Sequence, residues 1–192
     1  MRKIDILLAI DEKGIIDHNI YSKDSANPEL VDSKYIRVLT YDGDGKPVVD
    51  NTTVDILDDT GGKHFEYALK LSGIRKDDNI RWRGISLSPV DTAYYAVLTK
   101  FVPDKDNFDS YTQYIDRTAL KTQSNNMQVF DENGMLTLKE NVPKNYWLNV
   151  VIRNAPNSPE SVILSYTGNF TVYNAEKVVG YCQWKHNLIL SN

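Results

Sequence analysis

Residues 65–71 read Phe65-Glu66-Tyr67-Ala68-Leu69-Lys70-Leu71. In an extended chain successive side chains point to opposite faces. Phe65, Tyr67, Leu69 and Leu71 then face one way, and Glu66, Ala68 and Lys70 the other. A half-buried strand of an antiparallel sheet has this alternation, whereas an amphipathic helix would repeat at three and four residues.

The same period recurs along the chain. Ile4, Ile6, Leu8 and Ile10 share a face in 4–11, and Tyr35, Arg37, Leu39 and Tyr41 oppose Ile36, Val38 and Thr40. Further strand-like runs are 80–87, 93–102, 136–138, 146–153, 162–166, 170–173 and 178–184, all rich in β-branched and aromatic residues. Turn-forming residues separate them. Asp42-Gly43-Asp44-Gly45, Thr60-Gly61-Gly62 and Glu132-Asn133-Gly134 are breaks, Gly168-Asn169 lies between two of the runs, and Asn133-Gly134 suits a two-residue hairpin. Pro103, Pro143, Pro156 and Pro159 fall between the strand candidates. The count, about nine to eleven short strands, predicts an all-β, antiparallel β-sandwich of jelly-roll or immunoglobulin-like type. It leaves room for at most one short helix. Residues 12–34 read as a long loop. Residues 104–127 are polar, and 110–120 read either as an ordered loop or as a helix with Tyr111, Tyr114, Ile115 and Thr118 on one stripe. No repeat or linker divides the 192 residues, so one domain is expected.

Composition excludes several function classes. The chain has 22 Lys+Arg against 26 Asp+Glu, a formal net charge of -4, which argues against a nucleic-acid partner. Apolar runs fall short of the about 18 residues a membrane span needs. Arg2 and Lys3 precede a strand-like run flanked by Asp5 and Asp11 rather than the apolar core of a secretory leader, so a cytoplasmic location is expected. This also leaves the acceptor patterns at Asn51 and Asn169 idle. A single cysteine, Cys182, excludes an internal disulfide and reads as a small buried hydrophobe. His18, His64 and His186 show no paired metal-ligand spacing and read as surface or turn histidines. Ser86 and Ser88 lack a Gly-x-Ser-x-Gly elbow, and no phosphate-binding glycine loop occurs. No enzyme class is promoted, and no cofactor is expected.

Three sets of residues are candidates for binding. Asp104, Asp106 and Asp109 form an acidic cluster that suits Ca²⁺, an oxygen-seeking ion, as do Asp42, Asp44, Asp58 and Asp59 beside glycines. Asp-Gly pairs are also ordinary turn formers. Tyr111 and Tyr114, with Asn107 and Asp109, combine aromatic faces with amide and carboxylate groups, the means by which a loop holds a carbohydrate. Arg81 and Arg83 flank Trp82 and project to the opposite face of a strand, as an anion site, a cross-strand ion-pair network or a solvated surface.

Three segments carry a family resemblance. The opening Ile4-Asp5-Ile6-Leu7-Leu8-Ala9-Ile10-Asp11, the central Asp78-Asn79-Ile80-Arg81-Trp82-Arg83-Gly84-Ile85-Ser86-Leu87-Ser88 and the closing Gly180-Tyr181-Cys182-Gln183-Trp184 resemble the AidA/PixA family of bacterial inclusion-body-type proteins. One departure is that Lys185-His186 follows Trp184 where the family commonly has Asp-Pro. The resemblance implies a β-sandwich without a catalytic motif, found in intracellular inclusions. The expected role is structural or storage-like, with the chain associating with itself as a homo-oligomer, a dimer in its simplest form. The alternative is a lectin-like glycan-binding module using end loops of the sandwich, with Ca²⁺ assisting.

Overall fold

The computed structural model describes residues 2–42, 49–57, 63–87, 93–104, 108–116, 119–130, 136–157 and 159–192. The strands are β1 (Lys3–Ile10), β2 (Glu29–Leu30), β3 (Ile36–Asp42), β4 (Val49–Leu57), β5 (Lys63–Leu71), β6 (Asn79–Ser86), β7 (Tyr94–Pro103), β8 (Ala119–Phe130), β9 (Leu136–Val151), β10 (Ser161–Asn174) and β11 (Lys177–Ser191). Two short helices, α1 (Glu12–Asp17) and α2 (Phe108–Tyr114), and a 3-10 turn (Ser33–Tyr35) complete the elements.

The strands form two sheets, ordered β3-β1-β6-β9-β8 and β4-β5-β11-β10-β7, with β2 alongside β11. The all-β architecture expected from the alternation is present. In β1, Ile4, Ile6, Leu8 and Ile10 are completely buried, while Asp5 and Leu7 are half-buried. In β11 the face made by Cys182, Trp184, His186, Leu188 and Leu190 is buried. Both inner faces belong to one hydrophobic cluster. Each large side chain so buried contributes about 1.5–3 kcal/mol.

The sheets are mixed rather than wholly antiparallel. β1 runs parallel to β6, and β11 runs parallel to β5 and β2. Parallel neighbours need a crossover between them. The chain supplies one by leaving the first sheet after β3, building β4 and β5 in the second, and returning as β6. Side-chain alternation is the same in both pairings, so local sequence does not distinguish them.

Other segments also differ from the sequence reading. There are two short helices, not one at most. In α1 the Asp11 carboxylate caps the first turn by accepting from the Gly14 N–H at 2.8 Å, and Ile15 is fully buried. The stretch 104–127 divides into α2 and the start of β8, and α2 carries Tyr111 with Ile115 just beyond it into the core. Pro143 lies inside β9, opposite a register shift in β8. It is tolerated there because β9 pairs with β6 only from Leu148 onward, leaving Pro143 with a ladder on one side. A hairpin joins β8 to β9, but Phe130 lies opposite Leu136 rather than Thr137, one residue off the register that a two-residue turn at Asn133-Gly134 would set; the turn residues lie outside the described set.

Gly168 does not break a strand: β10 runs unbroken from Ser161 to Asn174. Gly168 faces Trp184 across the β10–β11 ladder, and a Cβ there would sit 2.0 Å from Trp184 Cη2. The residue is small so that the indole can lie against the backbone. Gly180 does the same for Tyr21, whose Cδ2 would meet a Cβ at 2.4 Å. Forcing a side chain into such a contact costs about 1–3 kcal/mol. Gly168→Ala is therefore expected to lower the unfolding free energy by about 2 kcal/mol in urea titrations. Gly84→Ala, where the nearest atom to a new Cβ is 3.6 Å away, is the internal control and should cost little.

Candidate functional site

The residues singled out around 104–114 are placed as follows. Tyr111 is 7% exposed and belongs to the core cluster. With Trp82, Phe101, Ile115, Val150, Tyr166 and Leu188 it surrounds a void of about 10 Å³, room for one water at most. Tyr114 is half-buried against the core, and Asp109 is exposed. Asp104 is exposed at the end of β7, its N–H donating to the Ser165 carbonyl at 3.0 Å. Asp106 and Asn107 lie outside the described residues, as do Asp44, Asp58, Asp59 and Ser88. Among the described residues no three His, Cys, Asp or Glu side chains are grouped to hold a metal ion.

Arg81 and Arg83 do lie opposite Trp82, half-buried on the outer face of their sheet. Asp5 on β1 is the direct parallel partner of Arg81. Its carboxylate makes an ion pair with Arg81 and lies 3.7 Å from Arg83 Nη2. The cross-strand network is thus the reading the structure supports. Ser86 Oγ donates to the buried Glu12 carboxylate at 2.8 Å. His18 is exposed, its Nδ1 2.8 Å from the Gly14 carbonyl. Cys182 is buried, and burial pushes its thiol up to about 12, so it is no nucleophile at neutral pH.

Two features were not read from the sequence. The first is a row of side chains across the outer face of the second sheet. Tyr95 on edge strand β7 lies opposite Tyr173 on β10, which lies opposite Val178 on β11. The two tyrosine rings stack with centroids 5.1 Å apart and planes 6° from parallel. Tyr95 is 40% exposed and Val178 45%. Isolated apolar residues on a surface are ordinary, whereas these three form one contiguous row.

The second is an open groove of about 650 Å³ between β3 and β11. Trp184, Lys185 and His186 line one side, and residues 32–34 and 36–39 the other. Alternation along β11 places His186 with Cys182, Trp184 and Leu188 on the inner face, a signal present in the sequence. His186 is 9% exposed, correcting its reading as a surface or turn histidine. Its ring packs edge-on to Tyr166 at 5.8 Å. Neither His186 Nε2 nor Trp184 Nε1 has a hydrogen-bond partner among the described residues.

Burial disfavours the imidazolium and lowers the His186 pKa from 6.5 to about 4. Above pH 6.5 the ring is neutral whether the chain is folded or not. Between 6.5 and 4 the unfolded chain binds a proton that the folded chain refuses, so stability falls as pH falls, by roughly 3 kcal/mol in all. Urea midpoints measured from pH 7.5 to 4.5 should therefore decline less steeply in His186→Leu than in the parent chain. Parallel slopes would remove His186 from the acid response.

The family model for PixA, described as an inclusion body protein, matches residues 2–189. The fold is similar to the crystal structure of a PixA inclusion body protein from Burkholderia cenocepacia J2315, with a TM-score of 0.57 and 16% identity over 98% of this chain and 94% of that one. At this identity the likeness concerns the fold alone. No curated protein matches the chain.

Proposed function

The chain belongs to the PixA family of inclusion body proteins, and from that premise we propose that it works by associating with itself, as a structural or storage-like component of cytoplasmic inclusions rather than as a catalyst. The observation that carries this reading is the Tyr95–Tyr173–Val178 row. The stacked rings, Tyr95 exposed and Tyr173 half-buried, supply flat apolar area on the outer face of the sheet. Val97 on β7 and Tyr181 on β11, both half-buried, flank Thr171 in the adjacent row and extend the face. The simplest product is a two-fold dimer in which this face meets its own copy.

Sedimentation velocity across a wide concentration range tests the reading. The parent chain should sediment faster as concentration rises. A Tyr95→Lys, Val178→Lys variant should stay monomeric, because two like charges brought face to face oppose assembly. Both positions are exposed, so the melting temperature should change little. A parent chain that remains monomeric throughout overturns self-association, and a variant that assembles like the parent overturns this choice of face.

A further inference from the structure

The second sheet is interrupted along one side of β11. That strand pairs with β2 at Cys182 and Gln183 and with β5 from Asn187 onward, leaving residues 184–186 between the two. The groove described above lies over this gap and is closed on its far side by β3, the edge strand of the other sheet. Its volume, about 650 Å³, is that of a small-molecule pocket.

Charge in the groove is opposite to that of the chain. Lys34, Arg37 and Lys185 line it, against one carboxylate, Asp32. Asp32 is already engaged as an acceptor for the Lys34 backbone N–H at 2.8 Å. Among the described residues no carboxylate pairs with Arg37 or Lys185. Three exposed cations gathered in one concavity of a chain with net charge -4 make a local positive field.

The wall beneath them is Trp184, 3% exposed, and His186, 9% exposed, which offer it ring and backbone surface rather than free polar groups. Apart from Ser33 the remaining lining is apolar, with Val38 half-buried and Leu39 43% exposed. A bare inorganic anion would leave that surface wet, and a neutral apolar molecule would leave the cations unmatched.

The geometry points to this groove as a binding site for a small organic carboxylate. Its charged end is held among Lys34, Arg37 and Lys185, and its aromatic or aliphatic body lies along Leu39 toward Trp184. The site is separate from the face proposed for self-association and stands or falls independently of it.

The test uses the full chain, ¹⁵N-labelled, with phenylacetate and octanoate as probes and phenylacetamide and octanamide as their neutral matches. Saturable shifts are expected at the Trp184 indole N–H and at the Lys185 and His186 amides. The amides should bind about tenfold more weakly or worse, since they keep the body and lose the charge. An Arg37→Gln, Lys185→Gln variant alters only exposed side chains and should also weaken the carboxylates about tenfold with the fold intact. The inference is overturned if neither carboxylate gives saturable shifts at these positions in the millimolar range. Equal binding of acid and amide, or indifference to the double substitution, overturns it as well.

Discussion

Trp82, projecting from the first sheet, packs at 4.8 Å against Phe101 and at 5.3 Å against Tyr166, both from the second. This contact fixes how the two layers face each other. Phe101 and Tyr166 also meet edge-on at 5.0 Å, so the three rings interlock rather than stack. Tilted and edge-on pairs at these separations add about 0.5–1.5 kcal/mol each beyond area burial, and unlike aliphatic contacts they resist sliding. Phe101 in turn touches Trp184 at 5.8 Å. A continuous line of rings therefore runs from the first sheet through the core to the wall of the groove. Trp184 is at once a core residue and a groove residue, and Gly168 is the concession that lets it be both.

The parallel pairings impose a second constraint. They put β1 and β11, the first and last strands, inside their sheets rather than at the margins. Both must be held by partners distant in sequence. The turn before β6 serves both. The buried Asp78 carboxylate accepts from the Arg2 N–H at 2.8 Å and the Arg75 N–H at 3.0 Å, while the Ile74 N–H donates to the Ser191 carbonyl at 3.0 Å. One short turn thus secures the beginning of β1 and the end of β11. With these strands interior, the margins fall to β3, β8, β4 and β7. β7 carries the tyrosine row on its outer face, and its outward Tyr94 carbonyl accepts from Ser86 Oγ of β6 at 3.4 Å.

Much of this was legible in local pattern, and the losses have a common cause. Ile4, Ile6, Leu8 and Ile10 announce a buried face because the signal lies within eight residues. Arg81 and Arg83 opposite Trp82 follow from the same rule. The closing Gly180-Tyr181-Cys182-Gln183-Trp184 could be recognised but not explained. Its glycine is fitted to Tyr21 and its tryptophan to Gly168, contacts that no window of the sequence contains. Gly168-Asn169 divided one strand into two runs because a glycine needed for close approach looks the same as one that interrupts a strand. The groove was invisible because its walls come from 32–39 and 184–186, brought together only by the mixed topology. His186 was the exception: alternation with Trp184 and Leu188 already placed it on an inward face.

The two outer faces of the sandwich differ in chemistry, and that difference bears on how the proposed assembly would proceed. The first sheet shows water the Asp5–Arg81–Arg83 ion-pair lattice, whereas the second shows stacked tyrosines. If the tyrosine face meets its own copy, the contact is self-complementary and closes as a dimer. Such a dimer has used its apolar row and presents its charged faces outward, so by that contact alone it stops growing. An inclusion requires propagation, which needs a second and different contact on each copy. Among the described residues, the Asp5–Arg81–Arg83 face is one surface that could provide it, and Leu39 on β3 is another. If the second contact uses the Asp5–Arg81–Arg83 face, growth beyond the dimer should respond to ionic strength, while the dimer itself, held by apolar area, should not.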